Sequence, residues 1–377
     1  MGKVIFVLDK IDNGGLQKVN AEVANLLSKS HEVNIFTLED AAVYFSINDS
    51  VVVHNPVEYD KYYMKKLYMV KLLNFFHKKI FKKTMEYRLY FQFKYLKRYI
   101  ESNDDVDLVV LSGFSILLAD KIKRYMSYTN IIMWMHSNTD IYLNKYFRYE
   151  YNQLISSMKS ADKLIVLNTS DKNSYANYSS NVVMIPNPVT IATSKISNLT
   201  KKRILAVSRI KINTKGLDYL VKIANKLPDN WIIDLVGGGD RKEIRRLNEL
   251  ISEEGVGEKL ILHGSKNTDE LKNYYENSSI FLSTSRWEGF GLVLLEAMSF
   301  GLPVVSFKQS GSIDILDNGK YGILVDNGDL EQLGVALNKV IESPSIQKNM
   351  QKLSLERVID YSPDKIEQEW EKLMNKS

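Results

Sequence analysis

RWEGFGLVLLEAMSFGLP (286–303) places two glutamates, Glu288 and Glu296, eight positions apart. The run SIFLSTS (279–285) ahead of it reads as a buried strand. The glycines around Glu288 make a loop, and a helix is expected from near Leu292 to Gly301, with Pro303 behind the stop. Glycines let a backbone approach a ligand closely, and unpaired N–H groups at a helix start seat a phosphate. Glu288, in the loop, can accept hydrogen bonds from hydroxyls. Glu296, just over one turn into the helix, could bind a neutral diol such as ribose. Two carboxylates flanking an anion seat suit a ligand with hydroxyls on both sides of a phosphate, which describes a nucleotide-sugar. The alternative is a strand–loop–helix unit with solvated glutamates.

Outward from this stretch the pattern is βα throughout. KVIFVL (3–8), HEVNIFTL (31–38), DVDLVVLSG (105–113), NIIMWMHS (130–137), DKLIVLNTS (162–170) and NVVMIPNPV (181–189) read as strands of one parallel sheet. The pattern restarts with RILAVSR (203–209), WIIDLVGGGD (231–240), KLILHG (259–264), PVVSF (303–307) and GILV (322–325). The expected class is α/β, with two doubly wound Rossmann-like domains. The divisions are 1–189, a Ser/Thr/Asn-rich linker at 190–202, 203–360, and a C-terminal segment 361–377 containing a helix capped by Ser362 with Pro363 first.

Composition sets limits. The chain of 377 residues is too long for one ordinary core, and it has no cysteine, which excludes disulfides and thiolate-bound zinc and suits a reducing cytoplasm. No apolar run is long enough for a signal peptide or a membrane span. HExxH, a carboxylate–histidine metal cluster and GxSxG are absent, so no metal and no serine-hydrolase mechanism are expected.

The net charge of +5 is unevenly spread. Residues 59–100 carry 12 Lys and Arg against 2 acidic residues, with Tyr and Phe interleaved. Such a segment suits an anionic membrane surface. Two other readings remain open: a helical pair with its aromatics in the core, and a nucleic-acid contact, for which no recognised motif is present.

Further candidates lie at strand ends, where parallel sheets bind ligands. SRIKINTKG (208–216) puts Arg209 and Lys215 where they could hold a diphosphate and stabilise it as a leaving group. NGGLQK (13–18) brings Gly15 between strand and helix, and MWMHSNTD (133–140) ends a strand at His136, which could hydrogen-bond a sugar hydroxyl. Each of these also has a purely structural reading. Backbone groups near His263 and Gly264 are candidates for base recognition.

Together GG (14–15), His136, IPNPV (185–189), SRI…KG (208–216), EGFGLVLLEAMSFGLPVV (288–305) and YSPDKIEQEWEKL (361–373) resemble the retaining GT-B glycosyltransferases of family 4, the glycosyl transferases group 1. The resemblance covers most of the chain, and its E-x7-E motif is specific. It implies a GT-B fold with two Rossmann-like domains facing a central cleft. Donor binding would fall to the C-terminal domain: Glu288 on the transferred sugar, Glu296 on the ribose, Arg209 and Lys215 on the diphosphate. Backbone N–H groups around Phe290, Gly291 and Leu292 would meet phosphate or sugar, with Gly15, His136 and Gly264 completing the site and the last helix crossing back to the first domain. The implied reaction is metal-free, retaining transfer from a nucleotide-sugar, UDP-linked, to a glycan or lipid-linked oligosaccharide of a capsule, exopolysaccharide or cell-surface polymer. It would take place in the cytoplasm at the inner face of the membrane. Alternatives are a nucleotide-sugar epimerase on the same fold and a non-catalytic scaffold. NGGLQK lacks the acidic residue often found soon after the glycine pair in this family.

Overall fold

In a computed structural model, residues 2–12, 14–40, 42–83, 86–103, 105–191 and 195–375 are described, the side chains at 86 and 375 excepted. The chain divides into two units, 1–188 with 363–377, and 189–362.

The first unit holds strands β1 (Lys3–Leu8), β2 (Glu32–Thr37), β3 (Val52–His54), β4 (Val106–Ser112), β5 (Asn130–Trp134), β6 (Lys163–Val166) and β7 (Val182–Met184). They form one sheet in the order β3-β2-β1-β4-β5-β6-β7, with every pair parallel. Its helices are α1 (Gly15–Leu27), α2 (Tyr63–Phe81), α3 (Glu86–Glu101), α4 (Ala119–Tyr125), the single turn α5 (Thr139–Ile141), α6 (Tyr151–Ser160) and α7 (Thr169–Tyr175). Helices cover both faces of such a sheet, so its strands must be apolar on both sides. This is why Val4 to Leu8 and Leu108 to Ser112 are buried without alternation.

The second unit repeats the plan. Strands β8 (Arg203–Val207), β9 (Ile232–Val236), β10 (Leu260–Gly264), β11 (Ile280–Ser283), β12 (Val304–Phe307) and β13 (Ile323–Val325) run parallel in the order β10-β9-β8-β11-β12-β13. Helices α8 (Ile212–Lys215), α9 (Leu217–Asn225), α10 (Arg241–Glu253), α11 (Thr268–Glu276), α12 (Leu292–Ser299), α13 (Ser310–Ile315), α14 (Leu330–Glu342) and α15 (Pro344–Val358) follow the strands. In each sheet the order reverses once, between β1 and β4 and between β8 and β11. Chain leaving neighbouring strands in opposite directions opens a crevice at their carboxyl ends, the place where doubly wound sheets bind ligands.

The last helix, α16 (Pro363–Asn375), belongs to the first unit. Trp370 is fully buried against Trp134, with ring centroids 4.9 Å apart, and near Phe6. Glu367 pairs with Lys29 at 2.6 Å, and Glu371 with His31 at 3.0 Å.

Three expectations change. The run 181–189 is strand only over Val182–Met184, because Pro186 and Pro188 have no N–H to give a ladder. The expected linker 190–202 lies in the second unit. Ile191 is buried, Ser197 donates its hydroxyl to the Ser278 carbonyl (2.5 Å), and its N–H donates to that of Phe300 (2.9 Å). Polar composition looked like free chain, but these hydroxyls serve as tethers; residues 192–194 lie outside the described residues. The basic aromatic segment is a helical hairpin, α2 and α3, whose two arms are buried very differently.

Candidate functional site

The second unit's site gathers at the β8/β11 reversal. Beyond β8, Arg209 is exposed, and the single turn α8 carries Lys215 at its end. Gly216 then turns the chain with φ +59°, and a Cβ there would stand 2.0 Å from the Thr284 carbonyl oxygen, so only glycine lets α8 press onto the end of β11. Thr284 answers by donating its hydroxyl to the Lys215 carbonyl at 3.1 Å.

Beyond β11 the loop 285–291 is fixed by Arg286. Its guanidinium forks onto the Asp218 carboxylate with two bonds of 2.7 Å, donates to the Asn213 carbonyl at 3.0 Å, and lies 3.7 Å over the Tyr219 ring. Burial pulls the Asp218 carboxyl up, but the hydrogen bonds and charge of Arg286 outweigh this and hold it below its ordinary value. The Arg286 N–H donates to the Thr214 carbonyl at 3.0 Å. The loop is thereby bolted to α8, and Glu288 meets Lys215 in an ion pair of 2.6 Å between half-buried partners. An ammonium has three N–H donors, so two directions at Lys215 remain for other acceptors.

Gly291, with φ +98°, turns the loop into α12, whose first-turn N–H groups of Leu292 and Val293 have no acceptor one turn back. Phe290 is buried with its ring 6.0 Å from that of Tyr361. Glu296 is only 4% exposed, and both its oxygens are engaged: Thr190 donates to Oε1 at 2.7 Å and Tyr275 to Oε2 at 2.9 Å. Glu296 is therefore tied into the unit as firmly as any core residue, a tie its place in the motif does not announce.

Gly264 ends β10 at φ +70°, exposed, with its carbonyl accepting from Gly237 at 2.9 Å. The neighbouring His263 side chain is turned away to the buried Asp234, 2.7 Å from Nε2, and Asp234 also accepts from Arg203 at 2.8 Å.

The first unit assembles its own strand-end group. Gly15 opens α1 after β1. His136 follows β5, its ring centroid 4.6 Å from that of Trp134 and tilted 42° to it. Its Nε2 lies 3.5 Å from Asn20 Nδ2 and 3.4 Å from Ser112 Oγ, and its backbone N–H donates to the Tyr142 hydroxyl at 3.3 Å. Burial without a compensating carboxylate pushes the imidazole down to about 3, so it is neutral at physiological pH. Asn20 Nδ2 is a donor only, which assigns Nε2 as the acceptor and leaves the proton on Nδ1. Asp9, directly after β1, accepts from the Phe114 N–H at 3.0 Å. Burial lifts its carboxyl to about 6, against the opposing pull of that hydrogen bond.

Asp9, Asn20, Ser112, Asp218, Tyr275 and Arg286 are absent from the sequence reading. Arg286 is the one with a local signal, since it stands two residues before Glu288. Asp218 and Tyr275 reach their partners across 68 and 21 residues. Among the described residues no group of three or more His, Asp or Glu side chains could hold a metal ion.

Residues 190–356 match the family described as glycosyl transferases group 1. The chain is similar to an uncharacterized glycosyltransferase of Haemophilus influenzae, 27% identical over 99% of this chain and 100% of that protein. It is also similar to a Campylobacter jejuni enzyme, GalNAc-alpha-(1->4)-GalNAc-alpha-(1->3)-diNAcBac-PP-undecaprenol alpha-1,4-N-acetyl-D-galactosaminyltransferase, 26% identical over 99% of this chain and 98% of that one. Among solved structures, a TarM variant of S. aureus in complex with fondaparinux, alpha-GlcNAc-glycerol and UDP superposes with a TM-score of 0.77 at 16% identity, covering both chains completely. That likeness shows the GT-B fold. With named glycosyltransferases matched end to end and the glycosyl transferases group 1 match over residues 190–356, the chain is a glycosyltransferase with the GT-B fold.

Proposed function

We propose that this glycosyltransferase moves a sugar from a UDP-sugar, with retention of anomeric configuration, to a lipid-linked glycan in the making of a cell-surface polysaccharide. The observation that carries the reading is the Glu288–Lys215 pair, 2.6 Å apart, at the start of a helix that holds Glu296 one turn further in. One carboxylate is poised for sugar hydroxyls and one cation for phosphate, with first-turn N–H groups between them.

In this reading the bond from the sugar C1 to the diphosphate oxygen breaks, and the acceptor oxygen bonds to C1 on the same face. The acceptor proton passes to the departing phosphate oxygen. Lys215 and Arg209 take up the charge that develops on the diphosphate, Glu288 orients the sugar, and Glu296 meets the ribose. Gly264 lies toward the base. Neutral His136 donates from Nδ1 to a sugar hydroxyl rather than moving a proton. No metal takes part, because the two cations and the helix start supply the electrostatic stabilisation. UDP in the TarM complex and the undecaprenol-linked acceptor in the name of the Campylobacter enzyme support the choice of donor and acceptor. A cytoplasmic protein peripheral to an anionic membrane, touching it through 59–100, completes the reading; among the described residues no helix is long and apolar enough to cross a membrane.

The test is incubation with UDP-, GDP- and dTDP-sugars, with and without membrane lipid extract, following nucleoside diphosphate release and the product's anomeric configuration by NMR. UDP release that depends on the extract, with an unchanged anomer, is expected. Release from GDP- or dTDP-sugars alone would overturn the donor, an inverted product the stereochemistry, and epimerised donor without acceptor the transfer itself.

A further inference from the structure

Helix α2 is apolar on two opposite faces. Tyr63, Leu67, Val70 and Asn74 form its inward stripe and are buried, packed with Phe91 and Tyr95 of α3. On the opposite side Tyr68, Met69, Leu72, Leu73, Phe75, Phe76 and Ile80 are each between 53% and 68% exposed. At 100° per residue these seven fall on one continuous outward face. Scattered exposed hydrophobics are ordinary, but seven gathered on one face of one helix form the kind of contiguous patch that marks an interaction site.

The lysines are sorted by the same geometry. Lys66, Lys71 and Lys78 turn back and pair with Asp60 (2.5 Å), Glu39 (2.6 Å) and Glu150, which fastens the helix to the body. Lys65 and Lys79 stand among the outward apolar side chains, and Lys82 and Lys83 follow its end, all four exposed. Helix α3 is different: Leu89, Phe91, Gln92, Tyr95, Leu96, Tyr99 and Ile100 are buried and Phe93 is partly buried against the core, so Tyr87 and Tyr90 are its only exposed aromatics among the described side chains.

We propose that α2 alone, not the whole segment 59–100, is the membrane-docking element, lying flat in the headgroup layer of an anionic bilayer with its outward face in the acyl boundary. This narrows the membrane contact within the proposed function. Charge decides the occupant. Residues 63–83 contain seven lysines and no acidic residue, so a second copy on this face would set lysines against lysines. A negatively charged headgroup layer accepts them, and a cationic helix with an exposed apolar, aromatic face gains from both terms. The inward pairs of Lys71 and Lys78 keep the face turned outward and leave the bilayer nothing to unfold.

Co-sedimentation of the full chain with phosphatidylcholine vesicles, with and without phosphatidylglycerol, tests this. Binding to the anionic vesicles should exceed that to the neutral ones by about tenfold or more and should weaken as salt rises. Phe75→Asp with Phe76→Asp should abolish it, Lys79→Glu with Lys82→Glu should weaken it by about tenfold, and Phe93→Ser on α3 should leave it unchanged. Phe76→Trp should shift its emission to the blue only with anionic vesicles. Equal, negligible binding to both vesicles would overturn the proposal. So would a dimer in sedimentation velocity that Phe76→Asp dissociates. Donor turnover without vesicle binding refutes the docking only, and vesicle binding without turnover refutes the reaction only.

Discussion

Arg286→Ala should loosen the site without touching either glutamate of the motif. The side chain gives Asp218 two charge-assisted bonds of 2.7 Å and Asn213 one of 3.0 Å, and it stacks on Tyr219. Both partners are partly exposed, at 19% and 29%, so the pair is worth more than a surface ion pair and less than a buried one. Cutting all four contacts and leaving Asp218 without its fork should cost about 2–3 kcal/mol. In a unit of this size, about 2–4 °C per kcal/mol puts the loss in the melting temperature near 4–12 °C.

The Asp218 carboxyl lies below its ordinary value in the fold, so the stabilisation is present above the ordinary carboxylate range and is lost as pH falls through the folded value. The melting difference between wild type and variant should therefore shrink at strongly acid pH. Arg286→Lys keeps the charge but not the fork, and it should recover part of the stability. Because the loop is what brings Glu288 to Lys215, both variants should lower kcat by about tenfold while nucleotide affinity stays within a few fold. Calorimetric melts beside steady-state kinetics measure both. An Arg286→Ala protein with unchanged melting temperature and unchanged kcat would refute the argument that this clamp sets the site's geometry.

Three more outcomes are expected. Glu288→Gln should cut turnover strongly and leave nucleotide binding largely intact, measured by kinetics and calorimetric titration; unaltered turnover would remove its sugar-facing role. Tyr275→Phe strips the hydrogen bond from Glu296 Oε2 inside the core and should destabilise the second unit by about 1–2 kcal/mol in urea unfolding; no change would mean Glu296 is held by other contacts. Asp9 keeps its proton to about 6 in the fold, above its ordinary 3.8, so its contribution to stability is whole below 3.8 and is lost as pH rises through 6. Asp9→Asn should therefore stabilise the first unit at pH 8, by up to about 3 kcal/mol, and change little at pH 3.5. His136, with its value depressed to about 3, acts in the opposite sense, withdrawing stability as pH falls below its ordinary 6.5. An equal Asp9→Asn effect at both pH values would contradict the titration.

The sequence by itself determined the two doubly wound units, because strands buried on both faces must be continuous apolar runs, and such runs alternating with helices form parallel sheets. It also placed Glu288, Lys215 and Arg209 at strand ends, because parallel topology fixes which end of each strand faces the crevice. What it left undecided are contacts between distant residues. Lys215 meets Glu288 across 73 positions, Arg286 meets Asp218 across 68, and Thr190 reaches Glu296 across 106, in a stretch whose composition resembled a linker. Periodicity carries no information about such partners. It fails for residues 59–100 as well: α2 is apolar on two opposite faces, so its sequence does not tell the core face from the outer one. Only the packing of Tyr63, Leu67 and Val70 against α3, with Lys71 and Lys78 drawn inward to Glu39 and Glu150, decided that Phe75 and Phe76 would face outward.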